Sequence, residues 1–137
     1  MTTHESSDTI TRGVRIVTNS FYLPGESNPD ANRFVFGYRV AITNEGDRPV
    51  QLVSRHWLII DGDGKREVVN GPGVVGETPR LEPGQSFRFT SFCPIATEWG
   101  SMEGSLRMIT DEGEKFDAKI NRFFLTQQSA TVSSAAD

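Results

Sequence analysis

Cysteine is almost absent from this 137-residue chain: Cys93 stands alone. No internal disulfide can form, and a reducing cytoplasm is the simplest compartment for it. Histidine is nearly as scarce, with only His4 and His56, and no two of these three residues have the spacing of a zinc-type ligand pair. Basic charge is also in short supply. The net charge is −4 with a pI near 5.2, and no run of Lys or Arg exceeds two residues. A nucleic-acid binder draws most of its affinity from phosphate neutralisation, so that class of partner is not expected. Long apolar runs are missing as well: none approaches the ~20 residues that a bilayer-spanning helix needs, so direct membrane insertion is not expected. The first ten residues, MTTHESSDTI, carry acidic side chains and no apolar stretch of the kind found in a secretory signal.

What remains suffices for one domain with one core. Hydrophobic residues make up 36% of the chain and phenylalanine alone contributes nine. The polar residues 1–12 are expected to be a disordered segment, residues 13–125 the folded domain, and residues 126–137 a flexible tail. Inside the domain the hydrophobic period is two. Phe34, Phe36, Tyr38, Val40 and Ile42 share one face, with Gly37, Arg39 and Thr43 on the other, the signature of a strand with one face on a core. Asn44-Glu45-Gly46-Asp47 turns the chain. The next strand, residues 50–61, is apolar on both parities, which predicts a central strand or one that crosses between environments. Asp61-Gly62-Asp63-Gly64 supplies a hairpin turn, and residues 65–70 return. Leu81-Glu82-Pro83-Gly84-Gln85 turns again before a strand led by Phe87 and Phe89 and ending near Cys93. Met102, Leu106 and Met108 align in the following strand, Phe116, Ala118 and Ile120 in the last, and Val14, Ile16 and Phe21 open the series. The pattern predicts an all-β fold: a fibronectin type III or immunoglobulin-like β-sandwich of seven to eight antiparallel strands with no substantial helix.

Gly71-Pro72-Gly73-Val74-Val75-Gly76 has the G-x-G-x-x-G spacing that elsewhere cradles a pyrophosphate. That chemistry needs a strand before the motif and a helix N-terminus after it. Here Pro72 lies inside the motif, Pro79 follows, and no βαβ unit surrounds it, which removes the dinucleotide reading. The bland alternative is a loop whose glycines permit an unusual backbone path. Between the two stands an anion-binding nest built from the backbone N–H groups of residues 73–77, although the Glu77 carboxylate repels phosphate. Asp61-Gly62-Asp63-Gly64 lacks the ligand order of a calcium loop, and a water-rich magnesium contact through its carboxylates stays open. Cys93 and His56 could in principle meet in space as a nucleophile and its base, but a lone cysteine before Pro94 reads first as a small buried hydrophobe. No catalytic residue, resident metal or cofactor is expected. Arg55-His56-Trp57 is the remaining oddity. Either Trp57 sits in the core with its neighbours paired or exposed, or the three line a groove beside the glycine loop.

Taken together, these residues resemble the ApaG family. The resemblance runs through Arg55-His56-Trp57, Asp61, Gly64, Gly71 to Glu77, Pro79, Leu81, Pro83-Gly84, Phe87, Ser91, Cys93-Pro94, Gly100 and Met102-Glu103-Gly104. Phe89 and Leu106 stand where that family commonly has Tyr, Phe92 where it has Gly, and Asn121 where it has Pro. The resemblance implies a fibronectin type III-like sandwich. It also implies a link to cobalt resistance and magnesium efflux, a genomic setting beside an rRNA methyltransferase and a diadenosine tetraphosphatase, and kinship with protein-interaction modules. The expected function is a non-enzymatic cytoplasmic binding module for a protein partner of unknown identity, acting as a monomer or weak homodimer. Its candidate binding residues are Arg55, His56, Trp57, Gly71, Gly73, Gly76 and Glu77. The alternative is a nucleotide or pyrophosphate binder using the Gly71–Gly76 loop. With no membrane segment, any role in metal transport would run through a partner.

Overall fold

The computed structural model describes residues 5–127. Nine strands follow one another: β1 (Ser6–Thr11), β2 (Val14–Tyr22), β3 (Phe34–Asn44), β4 (Val50–Asp61), β5 (Arg66–Pro72), β6 (Arg80–Leu81), β7 (Ser86–Ile95), β8 (Trp99–Thr110) and β9 (Lys115–Thr126). Single 3-10 turns at Pro24–Glu26 and Pro29–Ala31 are the helical elements among the described residues. The strands form two antiparallel sheets, β1-β2-β3-β7 and β5-β4-β8-β9, with β6 also paired to β4. The chain is an all-β sandwich, as its alternation predicts.

The core lies between the sheets, and the strand periodicity places it there. Phe36, Val40 and Ile42 from β3 meet Leu52 and Trp57 from β4, Leu106 and Met108 from β8, and Ile120 and Phe123 from β9. The turn after β3 is held by Asn44, whose side-chain amide donates to the carbonyls of Arg48 and Leu81 while its oxygen accepts from the Gly46 N–H. Asp61 closes the next hairpin, its carboxylate accepting from the N–H groups of Asp63 and Lys65 at 2.9 Å each. That carboxylate is a turn cap, as the plain hairpin reading expects.

Three details differ from the sequence expectation. First, Ser6–Thr11 is a strand where residues 1–12 were expected to be disordered. Its hydroxyls explain why so polar a segment orders: Thr11 and Thr9 accept from the N–H groups of Lys119 and Asn121 on β9, and Ser7 bonds Thr18 on β2. Polar side chains satisfy two backbone N–H groups of β9 and one hydroxyl of β2, and seal one side of the sandwich. Second, Phe21 faces away from the core. Its ring lies over Gly37 on the outer surface, under the Arg39 guanidinium 4.4 Å from the ring centroid, while Thr18, Ser20 and Tyr22 carry the buried parity. Third, β1 and the two-residue β6 bring the strand number above seven or eight. The expected tail, residues 126–137, lies outside the described residues apart from Thr126, the last residue of β9, and Gln127.

The double apolar parity of β4 has a local cause. Its register against β8 shifts between Leu52 and Ser54, so Val53 is an extra residue, a β-bulge that reverses which parity faces inward. Val50 and Leu52 point into the core before it, and Arg55, Trp57 and Ile59 point inward after it. β4 is central, between β8 on one side and β5 and β6 on the other.

Candidate functional site: a groove on the open side of the sandwich

β5 and β6 lie along the same edge of β4, so residues 66–81 form one interrupted edge strand. The interruption is the glycine loop, and it leaves the edge beside the Val53 bulge. Gly73 N–H donates to the Val53 carbonyl at 2.9 Å, and Leu52 N–H to the Pro79 carbonyl at 3.0 Å. Between these two anchors Val74-Val75-Gly76-Glu77 makes a tight turn, with Val74 and Glu77 exchanging both N–H···O bonds at 2.9 and 2.8 Å. Val75 at φ 44° and Gly76 at φ 80° make it a type I′ turn. Val74 is buried in the core and pins the loop down. Gly73 admits no side chain, because a Cβ there would lie 2.3 Å from the Glu77 carbonyl oxygen.

This geometry disfavours the anion nest. The N–H groups of Gly73, Val74 and Glu77 already donate to backbone carbonyls, so the loop does not present the row of free amides that such a site requires. The loop instead binds the Arg55 side chain. The guanidinium lies over Gly71, where a Cβ would come within 2.9 Å of it, and Nη1 donates to the carbonyls of Pro72 and Gly73 at 2.9 and 3.0 Å.

The turn also stores strain. A β-branched residue at positive φ is an outlier, and Asn-Gly is the favoured type I′ pair. Val75→Asn is therefore expected to raise stability by about 1 kcal/mol, read as a higher urea midpoint at unchanged slope.

The two sides of the sandwich are unlike. One is sealed by β1 against β9. On the other, β5 and β7 are edges that pair with no further strand among the described residues, and a groove runs between them. Three adjoining hollows of about 590, 260 and 180 Å³ make up its length. The first and second share Ile59, Glu67 and Pro94, and the second and third share Tyr38, Arg55, Trp57 and Ser91. Trp57 forms the inner wall, its ring edge-on to Tyr38 and Phe123 at 5.3 and 6.1 Å. Ser91 hydrogen-bonds the Tyr38 phenol, whose pKa is raised by burial against the opposing pull of that bond and of Arg55. Cys93 lies on the floor. Burial, reinforced by the Glu67 charge, pushes its thiol up to about 12, which leaves no thiolate at neutral pH.

Of the residues expected from sequence, the groove brings together Arg55, Trp57 and Gly76, with Gly71 and Gly73 holding the Arg55 side chain beside them. His56 is not among them. Strand alternation sends it to the outer face of the sheet, where Nδ1 bonds the Asn70 side-chain oxygen at 2.6 Å. It therefore cannot meet Cys93, which faces inward. Glu77 sits on the exposed side of the turn and does not line the hollow that Val74, Val75 and Gly76 border. Tyr38, Ser91, Glu67 and Val69 are groove residues that sequence reasoning missed. Only the phase of β5 relative to β4 tells that Glu67 and Val69 have the inward parity, and that phase depends on the bulge. Among the described residues no three His, Cys, Asp or Glu side chains come together as a metal site, and no helix is long and apolar enough to cross a membrane.

The segment that builds this groove is also the one that matches a known domain. The ApaG domain matches residues 24–110, which span β3 to β8. Protein ApaG of Anaeromyxobacter dehalogenans (strain 2CP-C) is 49% identical over 117 residues, covering 85% of this chain and 92% of that protein. Protein ApaG of Azotobacter vinelandii is 50% identical over 109 residues, covering 80% and 86%. A crystal structure from Bordetella pertussis, solved under the name ApaA, superposes with a TM-score of 0.81 at 40% identity over 82% of this chain and 92% of that one. With its glycine turn, bulged fourth strand and Arg55-Trp57 wall inside the matched segment, the chain belongs to the ApaG domain family.

Proposed function

We propose that this protein is a non-enzymatic, cytoplasmic interaction module that binds a protein partner along the open side of its sandwich. One observation carries the reading: two unpaired strand edges face each other across a groove walled by Trp57, Ile59 and Arg55, while the opposite side is closed by its own hydroxyl hydrogen bonds. Unpaired edges are templates for an added strand, and a half-buried Arg55 beside the partly buried Ile59 and Val69, backed by the buried Trp57, gives an apolar patch with a charged anchor. The chemistry available along the groove supports binding over catalysis. The Cys93 thiol is held protonated, His56 is on the other face, and Tyr38 is pushed toward its neutral form. Any contribution to cobalt or magnesium handling then runs through the bound partner.

Affinity capture from the native cell tests this with variants that leave the core alone. Wild-type protein and the outer-face control Arg107→Ala are expected to recover the same partner. Val75→Asn at one end of the groove and Pro94→Glu at its middle are expected to lose most of it. Equal recovery by all four, or recovery of no protein by the wild type, overturns the proposal.

A further inference from the structure

The middle hollow of the groove carries one charge of each sign. Arg55 on β4 and Glu67 on β5 both have the inward parity, as the pairs Arg55↔Gly71, Trp57↔Val69 and Ile59↔Glu67 require, and both line the same 260 Å³ space. Neither has an ion-pair partner among the described residues. Arg12, Arg15, Arg48, Arg80, Arg107 and Arg122 pair with carboxylates, whereas Arg55 shares the lack of an ion pair with Arg33, Arg39, Arg66 and Arg88 and differs from these four in lining the middle hollow. Arg55 uses Nη1 on the loop carbonyls, so Nη2 and Nε keep donors for a further acceptor. Between the two charges lies the apolar strip of Trp57, Ile59 and Val69. Glu67 stands opposite Ile59, four residues along β4 from Arg55, which at strand rise is about 13 Å.

An extended chain presents side chains i, i+2 and i+4 to one face at that same spacing. Building on the partner-binding reading above, we propose that the groove receives an extended segment of a partner protein bearing an acidic and a basic side chain four positions apart, with an apolar residue midway. The acidic group meets the free edge of the Arg55 guanidinium, the basic group meets Glu67, and the apolar residue lies on Val69 and Ile59, above the buried Trp57. The competing explanation is purely structural. An inward-pointing charge on an edge strand blocks unwanted pairing, and Arg55 need do no more than staple the glycine loop. That explanation gives the groove no preference among ligands.

Peptide titration followed by ¹H–¹⁵N NMR separates the two. Three capped probes share an extended Thr-Val-Thr centre: Glu-Thr-Val-Thr-Lys, the doubly acidic Glu-Thr-Val-Thr-Glu and the neutral Gln-Thr-Val-Thr-Gln. With wild-type protein the first is expected to shift amides of β5 and β7 at millimolar concentration. It should bind roughly fivefold more tightly than either other probe, the size of one exposed ion pair. Glu67→Lys, at an exposed position, should transfer the preference to the doubly acidic probe. Identical responses to all three probes, no response to any, or an unchanged ranking in Glu67→Lys would each overturn the charge pattern. If cellular capture still depends on Val75 and Pro94 while the probes show no preference, the charge pattern fails and the partner-binding groove stands. If capture recovers nothing, the parent reading fails with it.

Discussion

Gly104→Ala is expected to destabilise the protein by about 3 kcal/mol or more, beyond the usual cost of overpacking, because backbone must move. Gly104 on β8 pairs with Trp57 on β4. A Cβ at this position would lie 1.9 Å from the His56 carbonyl oxygen, 3.0 Å from its carbon and 3.1 Å from the Trp57 Cα. None of these atoms can rotate away as a side-chain tip would. Relief requires β4 and β8 to separate, and they are the two central strands of their sheet. The strain falls where β9 already carries an extra residue, since the β8–β9 register shifts between Met102 and Gly104. Against a typical total stability of 5–15 kcal/mol, such a loss is a large fraction. Urea unfolding checks it: a midpoint close to that of the wild type would mean that the two strands yield far more readily than a paired sheet should.

Trp57→Ala is the second large effect, expected at about 3–5 kcal/mol. The indole is 3% exposed and stands between Tyr38 and Phe123 in edge-on contact with both. Each such aromatic pair contributes about 0.5–1.5 kcal/mol beyond area burial. Truncation also empties the inner wall of the groove, so the remaining rings have nothing to close upon. Trp57→Phe keeps one ring in the site and is expected to lose less than half as much. Calorimetric melting of the two variants checks the order; equal loss in both would mean that ring packing is not what Trp57 contributes. Because Trp57→Ala lowers stability and removes the groove wall together, it cannot by itself separate folding from binding. Val75→Asn can, since it is expected to raise stability while removing an apolar tip from the groove.

The glycine segment shows how far local reading reaches. The prolines and the absence of a following helix were enough to remove a dinucleotide site, and the hairpin at Asp61 to Gly64 was legible from its turn residues. The role of the loop was not. That Gly73 must be bare depends on the Glu77 carbonyl folding back over it, and that Gly71 leaves room for a guanidinium depends on Arg55 arriving from another strand. The same holds for Arg55-His56-Trp57. Written as one cluster in sequence, it divides across the sheet, two side chains inward and one outward, because neighbours on a strand point to opposite faces. Which two go inward was set by the bulge at Val53, one residue that reverses the phase of everything after it. The N-terminal segment failed in the other direction. Residues 1–12 read as a polar, disordered segment, and part of it orders because β9 supplies backbone N–H groups for the Thr9 and Thr11 hydroxyls.

The sequence by itself determined that this protein is a strand-built sandwich with turns near Asn44, Asp61 and Pro83, and its residues placed it beside a known family. Side-chain alternation and turn chemistry are properties of a few consecutive residues, so no long-range information is needed to read them. Only the tertiary structure decided which side of the sandwich is sealed, which parity of β4 faces inward and which charges line the groove. Those outcomes rest on hydrogen-bond register between segments distant in the chain, such as β1 with β9 or β4 with β8, and register is settled when the strands pair.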